Sequence, residues 1–185
     1  LQHNFQAIAS RLPEKTRMMA VVKADAYGHC DRFVAGELQR LGVHWFGVSN
    51  LEEALSLRRC GIEGDILILG LTPPEKAGVL AAHRITQTVY SSDYAESLSK
   101  EAVRRQVTVC CHLKLDSGMR RIGFLIGEGQ DPSDEILAVA ALPGLSFTGI
   151  FSHFSSADDT TPEGQQFTAL QMRRCDELIA ALAEK

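Results

Sequence analysis

Lys23 is the first residue in the chain whose type and position could do chemistry. It follows the apolar run 18–22 and opens a loop that contains Tyr27 and His29. An amine at the carboxyl end of a strand can form a Schiff base with a carbonyl group. A strand-end lysine can also extend its ammonium group to solvent, and position alone favours this second interpretation. Tyr27 and His29 could bond a phosphate or cap the following helix.

A second candidate segment covers residues 113–123. Lys114 lies in a strongly apolar run, where a buried ammonium group is costly and implies a neutralising partner or a covalent modification. Arg121 follows in the same segment, and its planar guanidinium group suits a carboxylate or a phosphate. A structural ion network of Lys114, Asp116 and Arg121 explains the pattern equally well.

His153 is a third candidate, shortly after the apolar run 147–151. A strand-end imidazole can stack on an aromatic cofactor or transfer protons. A single histidine is more often part of a pocket wall, so His153 is a weak signal by itself. Near Lys23, the sequence His29, Cys30, Asp31 has the wrong spacing for a metal site, and we expect no metal.

The elements that must position these residues alternate along the chain. Helical patterns separate apolar runs, and most runs are continuous, which is typical of parallel strands covered on both faces. Asn50 and Thr161 are expected to cap helices, and Gly42 and Gly61 to end them. The predicted strands are 18–22, 45–49, 65–69, 85–89, 107–115 and 147–151.

Repeated βα units fit either an open doubly wound sheet or a (β/α)8 barrel. The first strand is not followed by a G-x-G-x-x-G turn, which disfavours the doubly wound dinucleotide-binding fold. Because a full barrel needs about 250 residues, six units in 185 residues would form an incomplete one. Both architectures collect ligands at the carboxyl ends of their strands.

Composition narrows the class of protein. A length of 185 residues, 45% hydrophobic and 23% charged, indicates one globular domain. The net charge of -4 and the scattered basic pairs argue against nucleic acid as a partner. Five cysteines without a C-x-x-C motif suit a reducing cytoplasm. Since the chain opens on Leu1 without a signal segment, we expect it to be part of a longer protein.

Three segments together resemble the signatures of the alanine racemase family. They are AVVKADAYGH at 20–29, KLDSGMRRIGF at 114–124 and GIFSHFSSAD at 149–158. They occur in the family's order, and the resemblance covers essentially the whole chain. It implies an α/β fold, an incomplete (β/α)8 TIM barrel of about six βα units with parallel strands. Residues 1–185 would be the N-terminal barrel domain of a fold-type III pyridoxal-phosphate enzyme, without its C-terminal β domain.

The resemblance also implies roles for individual residues. Lys23 would hold pyridoxal 5'-phosphate covalently and act as one of two bases at the substrate Cα. Tyr27 would bond the cofactor phosphate. Arg121 would bond the cofactor's phenolic oxygen and the substrate carboxylate. Lys114, as a carbamylated N6-carboxylysine, would orient Arg121, and His153 would pack beside the pyridine ring.

The implied reaction is racemisation of L-alanine to D-alanine, with serine as another small substrate. D-alanine made in this way supplies peptidoglycan. The family's second base is a tyrosine from the C-terminal domain of the partner subunit, so we expect a homodimer when the protein is full length. Residues 1–185 alone should then be inactive. The expected location is the cytoplasm, where the chain would be free or attached to a membrane domain.

Small departures from the family pattern occur at Asp25, Cys30 and Ser117, where the family usually has Asn, Gly and Thr. Two other functions fit parts of the pattern. A non-catalytic pyridoxal-phosphate-binding barrel lacks the segment from Asp116 to Arg121, so that segment argues against it. A (β/α) enzyme with a Schiff-base lysine, such as a phosphate-sugar aldolase, would not show the visible absorbance of the bound cofactor.

Overall fold

The computed structural model describes residues 1–127 and 129–185. These residues form two compact units, Leu1–Thr88 and Val89–Lys185. The helices are α1 (Gln2–Ala9), α2 (Lys23–Gly28), α3 (Asp31–Arg40), α4 (Leu51–Arg59), α5 (Ala77–Ala82), α6 (Ser92–Arg104), α7 (Ser133–Ala140) and α8 (Pro162–Ala183), with a 3₁₀ turn at Pro74–Lys76. The strands are β1 (Met19–Val21), β2 (Trp45–Val48), β3 (Asp65–Ile68), β4 (Ile85–Val89), β5 (Val109–Asp116), β6 (Phe124–Leu125) and β7 (Leu145–Phe151).

Parallel strands β1 to β4 form the sheet of the first unit in chain order. The apolar runs predicted as buried strands supply its core, where Phe46, Ile66 and Ile68 are fully buried. Helix α4 begins as predicted, because the Asn50 side chain accepts a hydrogen bond from the Glu53 amide at 3.0 Å. Parallel pairing places the carboxyl ends of all four strands at one edge of this sheet.

The interpretation of the apolar runs as strands covered on both faces was wrong for β1, and β7 has no buried residue either. Met19 and Val21 are 36% and 42% exposed, although the run 18–22 is continuously apolar. Among the described residues β1 pairs only with β2, so its other edge has no strand beside it. An apolar run therefore predicted the strand correctly but not its position at the edge of the sheet.

The second unit is organised around β5, which pairs in parallel with both β6 and β7. The register of β5 and β7 shifts between Cys111 and His112. At this point the His112 ring of β5 lies against Gly149 of β7, and a Cβ on Gly149 would lie 2.6 Å from Cε1 of His112. The two-residue strand β6 was not predicted, because it is too short to produce a periodic pattern.

Helix α8 is the longest helix described, and it begins where the sequence predicts. The Thr161 hydroxyl accepts a hydrogen bond from the Gly164 amide at 3.2 Å, and Pro162 occupies the first helical position. Leu178 of this helix is buried. None of the described helices is both long enough and apolar enough to cross a bilayer.

Candidate active site

Lys23 lies at the point where the backbone leaves β1 and turns in an unusual way. The preceding amide, that of Val22, continues the strand by donating to the Gly47 carbonyl at 2.9 Å. The next four residues, Ala24 to Tyr27, have φ values from 52° to 56° and form a left-handed turn. Each non-glycine residue in this conformation costs roughly 1–2 kcal/mol. Such strain occurs at functional sites when the surrounding structure holds it in place.

Glu53 of α4 holds this turn in place. One carboxylate oxygen accepts the Ala24 amide at 2.9 Å, and the other accepts the Ser49 amide at 2.7 Å. A single side chain therefore joins the loop after β1 to the loop after β2. Hydrogen bonds to a charged acceptor are stronger than those between neutral groups, which suits this role.

Asp25, where the family usually has asparagine, also stabilises the loop. Its carboxylate accepts the amide of Asp31 at the start of α3 at 2.9 Å. A carboxylate is favourable there because the amino end of a helix carries partial positive charge. The departure at this position therefore keeps the hydrogen-bond acceptor of the usual residue.

The side chains that this turn presents are those predicted from the sequence. Lys23 is half-buried, and Tyr27 is 63% exposed. His29 lies with its Nδ1 atom 3.0 Å from the Ala26 carbonyl oxygen, so it closes the turn as a local cap. Of the two loop residues that could bond a phosphate, Tyr27 is the one with no local capping contact described.

The loop after β5 is built around Asp116. One oxygen of its carboxylate accepts the amides of Gly118 and Arg120 at 3.0 and 2.9 Å, and the other accepts the Arg121 amide at 2.7 Å. Burial alone would raise the pKa of Asp116, but these three hydrogen bonds and the nearby Lys114 charge lower it. Asp116 is therefore an anion that folds the loop around itself and fixes the backbone of Arg121.

Gly123 allows the same loop to return to β5. Its φ is +122°, and an added Cβ would lie 2.6 Å from the Lys114 carbonyl oxygen and 2.9 Å from the Asp116 amide nitrogen. No other residue fits this approach without moving the backbone. The glycine of the second signature is thus required by packing against the strand that carries Lys114.

Lys114 is buried, as the sequence predicted, with 5% of its surface exposed. Its amine donates a hydrogen bond to the Leu115 carbonyl at 2.7 Å and lies 5.3 Å from the centre of the Phe151 ring. Burial lowers the pKa of Lys114; the Asp116 carboxylate opposes this shift, and the Arg121 charge adds to it. Burial therefore makes the charged form of this amine less favourable than it is in water.

His153 follows the carboxyl end of β7, and Arg121 follows the carboxyl end of β5. Lys114 of β5 pairs with Phe151 of β7, so His153 lies beyond the paired strands, as Arg121 does. Both residues are exposed. The second unit thus brings a guanidinium group, an imidazole and a buried amine to neighbouring strand ends.

These donors match the chemistry of pyridoxal phosphate. The ligand needs a primary amine for its carbonyl carbon, hydrogen-bond donors for its phosphate and phenolic oxygens, and a flat group beside its ring. Lys23, Tyr27, Arg121 and His153 are of those types, and none of the four is buried away from solvent.

The sequence did not reveal three residues that support these loops. They are Glu53 of α4 and Gln171 and Arg174 of α8. Arg174 donates from its guanidinium group to the Ser117 carbonyl at 2.8 Å. Their partners are 29, 54 and 57 positions away in the chain, so no local spacing points to them.

The similarity of this chain to known proteins extends over its whole length. The family model described as alanine racemase, N-terminal domain, matches residues 1–185. Alanine racemase 1 of Caldanaerobacter subterraneus subsp. tengcongensis is 38% identical over 185 residues, covering 100% of this chain and 46% of that protein. The serine/alanine racemase of Enterococcus gallinarum is 36% identical over 185 residues, which is 100% of this chain and 25% of that protein.

A solved structure gives the same result for the fold. Alanine racemase from Clostridium difficile 630 is similar with a TM-score of 0.86 and 34% identity, over 97% of this chain and 47% of that one. The predicted fold class is thereby confirmed: α/β with parallel strands, as an incomplete (β/α)8 barrel of about six βα units. The chain spans about half the length, or less, of these relatives.

Proposed function

This chain belongs to the alanine racemase family, as its N-terminal domain, and we propose that it carries the cofactor-holding part of a pyridoxal-phosphate-dependent amino-acid racemase. Residues 1–185 would be the N-terminal barrel domain of that enzyme. The observation that carries the proposal is the position of Lys23, which follows β1 and opens a left-handed turn held by Glu53. The whole-chain match to the family supports it.

Lys23 would hold the cofactor through its amine and exchange the Cα proton of the substrate on one face. Pyridoxal phosphate, when bound, supplies the electron sink that makes this proton acidic. Tyr27 would donate its hydroxyl to the cofactor phosphate, and its 63% exposure leaves that hydroxyl accessible to a ligand. The fixed turn would keep the Lys23 amine from searching many orientations.

Arg121 would bind the cofactor's phenolic oxygen and the substrate carboxylate, for which a planar fork of donors is suited. We propose that Lys114 is carbamylated and that the carbamate is the partner of Arg121. A neutral Lys114 amine can add to carbon dioxide, forming an N–C bond and releasing a proton. The lowered pKa of Lys114 favours the neutral amine that this addition requires. The product is an anion, which would orient Arg121.

His153 would pack beside the cofactor ring as a flat, polarisable group. A second base is needed to return the proton on the opposite face. We propose that a tyrosine of a C-terminal β domain on a partner subunit supplies it, so the working enzyme would be a homodimer. Its location would be the cytoplasm, free or as the cytoplasmic domain of a membrane-attached racemase.

The proposed substrate is alanine, with serine as the alternative. Two relatives are named for these reactions, one as an alanine racemase and one as a serine/alanine racemase. Conversion of L-alanine to D-alanine would provide a building block for peptidoglycan.

A racemisation assay tests the proposal. The whole protein that carries this chain is supplied with pyridoxal phosphate and with L-alanine or L-serine, and the D-enantiomer is measured against a cofactor-only blank. We expect turnover well above the blank, its loss in Lys23→Ala, and its retention in Lys100→Ala, a matched change of an exposed lysine that pairs with Glu96. Absence of turnover with both amino acids would contradict the proposed function.

A further inference from the structure

Gln171 is a fully buried polar residue in the middle of α8, with 0% of its surface exposed. Its amide nitrogen donates to the Ser117 hydroxyl at 3.2 Å, and its amide oxygen accepts the Ser155 backbone amide at 3.1 Å. Because a backbone amide can only donate, the contact with Ser155 fixes which end of the Gln171 amide carries the oxygen. Both ends of one side chain are therefore used.

The partners of Gln171 lie in the two loops that carry candidate site residues of this unit. Ser117 is in the loop after β5, between Asp116 and Arg121. Ser155 follows His153 in the loop after β7. Gln171 thus joins the segment of Arg121 to the segment of His153, although neither segment contains a residue near it in sequence.

A chain of hydroxyl groups continues the link back to β5. The hydroxyls of Ser117 and Ser152 lie 2.9 Å apart, and Ser152 donates to the Leu115 carbonyl at 3.0 Å. With Ser152 donating to Leu115, Ser117 donates to Ser152 and accepts from Gln171, so each hydroxyl donates once. This consistent direction strengthens the network, because buried hydrogen bonds in a chain polarise one another.

We propose that Gln171 is a positioning residue that fixes the Arg121 loop and the His153 loop relative to each other. Its catalytic importance rests on the proposed function; its physical role does not. An apolar side chain would fill the same volume without the cost of burying an amide. The polar side chain is favourable here only because it satisfies groups of both loops at once. Gln171 acts through Arg121 and His153 and not on the substrate.

Amide hydrogen exchange, resolved by residue, tests the proposal in the whole protein. Gln171→Met keeps the side-chain length and removes both hydrogen bonds. We expect the Ser155 amide and the amides bound to Asp116 to exchange about tenfold faster, with the β5 amides of residues 109–115 unchanged. Gln166→Met, an exposed residue of the same helix, is the matched control and should change neither loop.

Faster exchange in only one loop, or in neither, would overturn the proposal. If Gln171→Met does not fold, Ser117→Ala removes the hydroxyl link with a smaller change, and the Ser155 amide should again exchange faster; an unchanged Ser155 amide would overturn it. With L-alanine, Gln171→Met should lower kcat about tenfold with a smaller effect on KM. A protein without any turnover contradicts the proposed function, while the exchange data still decide the role of Gln171.

Discussion

The loops that follow β1 and β5 both present candidate site residues, but different interactions hold their backbones. The loop after β5 is folded by Asp116, which belongs to the strand itself and binds amides no more than five positions away. The loop after β1 has four left-handed residues, and its Ala24 amide is held by Glu53, 29 positions later.

The difference shows two ways of fixing a functional loop. The loop after β5 carries its own organiser, Asp116, and Gln171 and Arg174 of α8 add contacts at Ser117. The loop after β1 depends on α4, so its strain is maintained by a distant element. Substitutions at Asp116 should therefore cost more than substitutions at Glu53, and each should act on its own loop.

Asp116→Ala should give the largest loss of stability. It removes the acceptor of three amides in a partly buried loop, and a charged acceptor contributes more than a neutral one. We expect the free energy of unfolding to fall by about 3 kcal/mol or more, measured by urea denaturation. Asp116→Asn keeps one oxygen and should lose about half as much. Equal stability of wild type and Asp116→Ala would show that the loop has another organiser.

The lowered pKa of Asp116 gives the same interaction a pH dependence. A carboxyl group whose pKa is lower in the folded state stabilises the fold fully above its unfolded pKa of about 4. This contribution is lost as the pH falls through the folded pKa. The stability difference between wild type and Asp116→Asn should therefore shrink as the pH falls from about 5 through the folded pKa of Asp116. A difference that grows on acidification would contradict the assignment.

Arg121→Lys and Arg120→Lys separate the loop's shape from its side chains. Both amides bind Asp116, so neither change should unfold the loop. Only Arg121 is proposed to bind the cofactor and substrate, and a lysine does not replace a planar fork. We expect kcat/KM with L-alanine to fall about 100-fold for Arg121→Lys and to change little for Arg120→Lys. Equal losses would remove the assigned role.

Glu53→Gln tests the distant support of the loop after β1. Glutamine keeps one acceptor oxygen, so either the Ala24 or the Ser49 amide loses its partner. The free energy of unfolding should fall by about 1–2 kcal/mol, and the Ala24 amide should exchange faster than the amides around Asp116. Glu52→Gln, exposed on the same helix, is the control. A uniform increase of exchange in both loops would contradict independent support.

Ala24→Gly should have the smallest effect on stability. An alanine-to-glycine change usually lowers the free energy of unfolding, but here it should not. Glycine adopts the left-handed conformation without the steric cost that alanine pays at φ 52°. The change should leave stability unaltered or raise it by up to about 1 kcal/mol. Ala180→Gly, at an exposed position inside α8, should lower it by about 1 kcal/mol. If both variants lose the same amount, the turn is not strained.

Much of the fold and part of the candidate site could be predicted from local sequence. The caps at Asn50 and Thr161, the positions of the main strands and the burial of Lys114 follow from short-range patterns and are confirmed. The exposed edge of β1 was not predictable, because a continuous apolar run does not reveal which strands flank it. The contacts of Glu53 and Gln171 were missed for a related reason: their partners are brought together only by folding.

The most direct test of the account is to find which lysine holds the cofactor. The whole protein, loaded with pyridoxal phosphate, is reduced with borohydride, digested and mapped for a pyridoxyl-labelled peptide. We predict the label on Lys23, with Lys114 unlabelled because it is buried and bound to the Leu115 carbonyl. A label on any other lysine, or no label on a cofactor-loaded protein, would contradict the claim that the turn after β1 is built to present Lys23.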